Sequence, residues 1–261
     1  MANNVSKKKE TSVSNINSAM LLQDAGAGQE KMSQEDMMIP RLSILQQMSD
    51  QVNKANGAYV PGAEPGMILD NVANRAINGE KGIEVVPISY RRAHIEWKKD
   101  RGGLVADHGS DEKVLEKCSR GDKGEYFTDE GNEIVITGEY FVFLIDDDGY
   151  TPAVLSMSKS QFKKARTWNT MMNRLMIDAD GQVINPAMFW TSYQLTTVPE
   201  KNDQGSWFGW SFKMNHDAKS GGIIQNHSQG EEIYLAARNF KAQVAQGDVK
   251  VSPESQDDDV M

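Results

Sequence analysis

Glu96-Trp97-Lys98, with Asp70 or Glu84 upstream, has the residue types of a D…ExK site, in which two carboxylates hold Mg²⁺ and a lysine orients the attacking water. Three-residue patterns arise by chance in many chains, and no Pro-Asp precedes the acid here, so a Mg-dependent nuclease is the minor reading. Asp146-Asp147-Asp148-Gly149 lacks the alternating ligands and distal Glu of a calcium loop and reads as a turn. His108, His216 and His227 sit in Gly-, Asp- or Asn-rich stretches without ligand spacing, and there is no GxGxxG, GKS or GKT, GxSxG or HExxH. No cofactor, metal or catalysis is expected.

Binding chemistry is better represented. From Lys159 to Ile177 the cations Lys159, Lys163, Lys164, Arg166 and Arg174 occur with no Asp or Glu among them, a local charge of +5 on a chain of net charge −9. On a helix whose apolar stripe packs on a sheet, such a run makes a rail for a phosphodiester backbone; a merely solvated helix face is the plainer alternative. A second candidate is Tyr90, Arg91, Arg92, His94, Lys98 and Lys99, where aromatic and basic side chains interleave as single-strand binding requires: bases stack on rings while cations track phosphates. Trp97 shares a strand face with Ala93 and Ile95 and reads as core. A third is the aromatic group Trp190, Tyr193, Trp207, Phe208, Trp210 and Phe212; most must fill the interior, but Trp207 falls opposite Trp210 and is expected at the surface.

These residues need a sheet and helices to position them. Strands are predicted at 67–69, 83–90, 92–99, 139–145 and 151–157, with a further hairpin from 189–198 and 206–214. In the 92–99 strand, Arg92, His94, Glu96 and Lys98 should form a wet, largely basic face. Residues 100–133 read as a long charged excursion holding Cys118. Capping boxes at Ser158-Gln161 and Ser228-Glu231 predict two helices, the second ended by Gly247, and a further short helix is expected around 41–49. The fold class is thus α+β: an antiparallel OB-like β-barrel or β-sheet core with two or three helices and disordered termini.

The organisation expected is a disordered arm over 1–32, one β-rich binding domain over 33–247 and an acidic flexible tail over 248–261. A single cysteine excludes an intramolecular disulfide and suits a reducing compartment, no apolar run approaches the ~20 residues of a membrane span, and the host cytoplasm is the expected location. The acidic balance argues against nucleic acid only if the charge is evenly spread, and an acidic tail can leave a basic groove elsewhere.

Several stretches together resemble a group of tailed-phage proteins, some of them described as single-stranded DNA-binding: Ser33-Gln34-Glu35-Asp36 leading to Ile39-Pro40-Arg41-Leu42-Ser43-Ile44-Leu45, Pro61-Gly62-Ala63-Glu64-Pro65-Gly66, Val86-Pro87-Ile88-Ser89-Tyr90-Arg91-Arg92 with Glu96-Trp97, and Lys163-Lys164-Ala165-Arg166-Thr167-Trp168-Asn169. The resemblance spans about residues 33–245 and implies a protein that coats single-stranded DNA during phage replication or recombination. The ending Asp257-Asp258-Asp259-Val260-Met261 is similar in logic to the acidic tips through which such proteins recruit replication and recombination partners, though Val-Met stands where Phe is usual. A transcription or protein-interaction accessory factor sharing only that tail is the remaining alternative. Oligomeric state and DNA-against-RNA preference stay open.

Overall fold

The computed structural model describes residues 18–32, 36–99, 103–147, 149–203, 205–215, 218–247, 249 and 251. In chain order its regular elements begin with α1 (Ser18–Gln23), β1 (Arg41–Ile44), β2 (Ile68–Asp70), β3 (Arg75–Ile77), β4 (Ile83–Trp97), β5 (Leu104–Asp107), β6 (Ser119–Arg120) and β7 (Tyr126–Phe127). They continue with β8 (Glu133–Asp146), β9 (Gly149–Ser158), α2 (Lys159–Asn173), β10 (Ile177–Ala179), β11 (Gln182–Ile184), β12 (Tyr193–Asn202), β13 (Gly205–Met214), α3 (Gly222–Asn226) and α4 (Gly230–Gln246). This is a mixed α+β fold. Among the described residues no helix is long and apolar enough to cross a membrane.

Period-two alternation puts Tyr140, Val142 and Leu144 on one face of β8 and Phe141, Phe143 and Ile145 on the other, and both sets are buried. A strand apolar on both faces must be covered twice, and it is. The sheet runs β13-β12-β4-β8-β9-β1-β2-β3, with β5 added to β4 and β7 and β6 added beyond β8. It curls into a half-barrel. The amphipathic helix α2 packs on the inner face through Ala165, Trp168 and Met172, and α4 covers the outer face through Ile233, Ala237 and Phe240. Among the described strand pairs all are antiparallel except β1 with β9, which run parallel, so the sheet is not the purely antiparallel one expected.

The curl brings β13 close to the chain leaving β1. Gln46 bonds the backbone of Phe208 twice, donating to its carbonyl at 3.0 Å and accepting from its N–H at 2.9 Å, as a neighbouring strand would. One strand over, the Thr197 N–H donates to the Gly79 carbonyl at 2.9 Å and the Thr197 hydroxyl to that of Gly66 at 2.5 Å.

Several expectations need correction. Residues 41–44 form strand β1, not a helix: Leu42 and Ile44 fill the interior while Arg41, out of phase with them, meets Glu139 on the outer face, and Met48, the last residue of the supposed helical stripe, is 90% exposed. Leu42 fits a helical spacing with Leu45 and a strand spacing with Ile44, and tertiary pairing chose the strand. The 83–90 and 92–99 strands are one element, β4, bent at an irregularity between Pro87 and Ser89. Phe189 lies in a 3-10 turn ahead of the second hairpin rather than in its first strand. Helix α1 falls within the arm read as disordered. The root of the tail is held, since Val251 bridges Ile39 and Val249 packs on the outer core. Both capping boxes fail as such: neither Ser158 nor Gln229, which takes the N-cap in place of Ser228, caps through its side chain.

Candidate functional site

Gln161, freed from the box, docks α2 instead. It donates to Glu200 at 3.1 Å and accepts from the Trp210 N–H at 2.9 Å. This close approach requires glycine at 209, where a Cβ would lie 2.6 Å from Gln161 Nε2 and 2.7 Å from a Glu200 oxygen. Gly138 does the same further along, beneath Ala165 and Tyr90. Lys164 is drawn into the same contact, with its ammonium on Glu200 and donating to the Trp210 carbonyl at 2.6 Å. Burial works against the charge on Glu200, but the bond and charge of Lys164, then Gln161 and Trp207, hold its carboxyl below the usual range. Trp207 is accordingly not the exposed ring expected: it is half-buried and donates its indole N–H to Glu200 at 2.9 Å.

With one face so committed, the opposite face of α2 is fixed. Lys163, Arg166, Thr167, Thr170, Asn173 and Arg174 are all exposed and recur at the spacing of a single helical stripe. The stripe holds three cations and no acid. Arg166 lies over the Phe162 ring at 4.9 Å, and Thr167 and Thr170 donate their hydroxyls back to the carbonyls of Lys163 and Arg166. Lys159, by contrast, is mostly buried and 3.7 Å from Glu133. Three of the five expected rail cations therefore face solvent together, and two are structural.

At its C-terminal end the stripe opens into a cleft of about 620 Å³, bounded by Tyr90, Asn169, Asn173, Arg174, Met188 and Tyr193 among others, with no acid in its lining among the described residues. Tyr90, Tyr140, Trp168 and Tyr193 form a continuous chain of rings behind it, with successive centroids 5.0, 4.6 and 5.4 Å apart. The Tyr140 hydroxyl donates within the core to Ala165 O or Asn169 Oδ1. That of Tyr193 is fully buried and has no hydrogen-bond partner among the described residues. Burial pushes Tyr193 up to about 12, so the hydroxyl remains a donor.

The basic strand does not form the surface expected of it. His94 is fully buried, because β5 and the segment after it fold over that face: its N–H and ring Nδ1 both meet the Gly109 carbonyl, at 2.9 and 3.2 Å. Burial pulls its pKa below the usual histidine value. Glu96 on the same face accepts from Asn132 at 2.7 Å and lies 2.7 Å from His108. Arg91 spans Glu139, which is fully buried, and Asp107; burial works against its charge, but the two carboxylates outweigh it and raise its pKa. Arg92 is 3.3 Å from Glu112. Lys98 and Lys99 are exposed, but eight or nine residues along the strand from Tyr90, which at ~3.3 Å per residue is roughly 26–30 Å. Only Tyr90 of this group joins the α2 site.

The D…ExK reading finds its acids apart. Glu84 and Glu96 stand twelve residues apart on β4, roughly 40 Å along the strand. Asp70 accepts from the N–H groups of Val72 and Ala73. Among the described residues no group of three or more His, Cys, Asp and Glu is placed to hold a metal ion. Cys118 donates to the Val114 carbonyl, and burial raises its thiol. The tail residues Asp257, Asp258, Asp259, Val260 and Met261 lie outside the described residues.

A family model described as Pam3 phage gp34-like protein matches residues 8–250. The chain belongs to the Pam3 phage gp34-like family. Comparison with curated proteins and with solved structures found no match. Membership makes this a phage protein and leaves its chemistry to the site. Sequence reasoning found the cations and Tyr90; it missed Asn169, Asn173 and Tyr193 as neighbours, because their meeting depends on how α2 crosses the sheet.

Proposed function

We propose that this phage protein binds single-stranded DNA along the exposed stripe of α2, without chemistry of its own. The observation that carries this reading is the pairing of three solvent-facing cations, Lys163, Arg166 and Arg174, with an acid-free cleft walled by Tyr90, on a chain that is otherwise acidic. Cations spaced along one helix face track a flexible phosphate chain, and an open cleft beside an aromatic side chain suits unstacked bases, which duplex DNA does not offer. The curled half-barrel is compatible with an OB-like arrangement, though α2 lies where such a barrel would be filled. Coating of exposed strands in phage replication or recombination is the corresponding role, with partner recruitment assigned to the acidic tail.

The test is fluorescence anisotropy with labelled single- and double-stranded oligonucleotides over a salt series, with and without Mg²⁺. Preference for the single strand supports the reading, and equal affinity for duplex overturns it. Shortening of the strand by pure protein in Mg²⁺, abolished by Glu96→Ala, would establish the nuclease instead.

A further inference from the structure

The cleft at the end of α2 is more specific than a track needs. A phosphate rail requires only charge, whereas this cleft combines a cation at its mouth, amides on its wall, a half-buried ring and a buried hydroxyl left without a partner. A buried donor that bonds nothing destabilises the fold, and Tyr193 is the residue of this lining that carries one among the described residues, so a ligand reaching it would supply the missing acceptor. Its volume of about 620 Å³ lies within the range of small-molecule sites, roughly 300–1,000 Å³. Asn169 has its Oδ1 engaged by Tyr140, which leaves its amide N–H groups to donate, and exposed Asn173 offers both a donor and an acceptor. Arg174, at the helix C-cap with no carboxylate beside it among the described residues, suits a phosphate.

From this geometry we infer that the cleft is a nucleotide-binding site: it takes one nucleotide, with the base against Tyr90 and facing the Asn169, Asn173 and Tyr193 polar groups, and the phosphate on Arg174. The inference rests on the single-strand reading for the source of that nucleotide, namely one residue of the bound strand turned out of the track. A free deoxynucleoside monophosphate presents the same chemistry and is the direct probe.

Isothermal titration of the full chain with each of the four deoxynucleoside 5′-monophosphates, with deoxyribose 5-phosphate and with thymidine separates base, sugar and phosphate. At least one monophosphate should bind more tightly than either fragment. Tyr193→Phe should weaken it about three- to tenfold, the loss of one hydrogen bond, while leaving thermal stability unchanged or higher, because the orphaned hydroxyl is gone. Asn173→Ala, at an exposed position, should weaken it similarly without touching the fold. Monophosphates binding no better than deoxyribose 5-phosphate, or unaffected by both variants, would overturn the site. A labelled oligothymidylate and the same strand bearing one abasic residue complete the set. Monophosphate binding without oligonucleotide binding keeps the site and overturns the strand reading; oligonucleotide binding without monophosphate binding does the reverse.

Discussion

Replacing Lys163, Arg166 and Arg174 together by Ala removes the three cations of the α2 stripe and no described ion pair, so the loss should appear in binding and not in folding. Each phosphate contact on a single strand contributes about 0.7 to the slope of log affinity against log salt, and three lost contacts should shallow that slope by about 2. At 0.1 M salt this corresponds to roughly 100-fold weaker binding, and the deficit should shrink by roughly 20-fold between about 50 and 200 mM. Lys164→Ala is the internal control. Its ammonium already lies on Glu200 and the Trp210 carbonyl, so its removal should leave the slope unchanged while costing stability, since Glu200 would lose the partner that offsets its burial. Anisotropy across four salt concentrations, with circular dichroism melts of each variant, reads both quantities. A slope unaltered in the triple variant, or shallowed as much by Lys164→Ala, would show that the stripe is only a solvated helix face.

Glu139→Gln should destabilise by about 3–5 kcal/mol in urea titration, because it removes the carboxylate charge that faces Arg41, 4% exposed, and weakens the hold on Arg91; a loss under 1 kcal/mol would mean that water reaches the network. His94 has its folded pKa depressed by burial, so the unfolded chain binds the proton first. Stability from this group is complete above about pH 6.5 and is lost as pH falls below it, and His94→Leu should flatten melting temperature against pH between 7 and 5 relative to wild type; parallel profiles for the two proteins would refute this. Gln46→Ala should cost about 1–3 kcal/mol, since it leaves the N–H and carbonyl of Phe208 without their partners, and hydrogen exchange should rise at Phe208 before it does in β8; uniform exchange would place the closure elsewhere.

The alternating strand 206–214 and the continuous apolar run 139–145, buried on both faces, were legible because local pattern and final environment agree. Where two periods compete, as at Leu42, which spaces as a helix with Leu45 and as a strand with Ile44, pairing with β9 decided, and no local signal reports a partner more than a hundred positions away. The charges of Arg91, Arg92 and His94 were visible, but not the segment 103–112 that folds back and supplies Asp107, Gly109 and Glu112 to them. A sequence reveals that a residue is charged and conceals which opposite charge it will meet. The stripe on α2 survived because helical spacing alone determines which side chains share a face, and the absence of acids over 159–177 is a property of the helix itself.

Gln46 and Phe208 lie 162 positions apart, and Arg41 pairs with Val154. A ribosome adding about 5–20 residues per second needs roughly 8–30 s to deliver Phe208 after Gln46. Within that interval β1 has β2 beside it but waits for Val154 of β9, and once Trp168 is made the inner wall with Tyr140, Leu155 and Trp168 lacks the rest of the β12-β13 hairpin for roughly 2–8 s more. Such distant contacts slow folding, because chain entropy is lost before the contacts form. The late hairpin thus sets the time for which this nascent chain is sticky, and production in a host crowded with other phage proteins should depend on chaperone capacity more than on the final stability of the half-barrel.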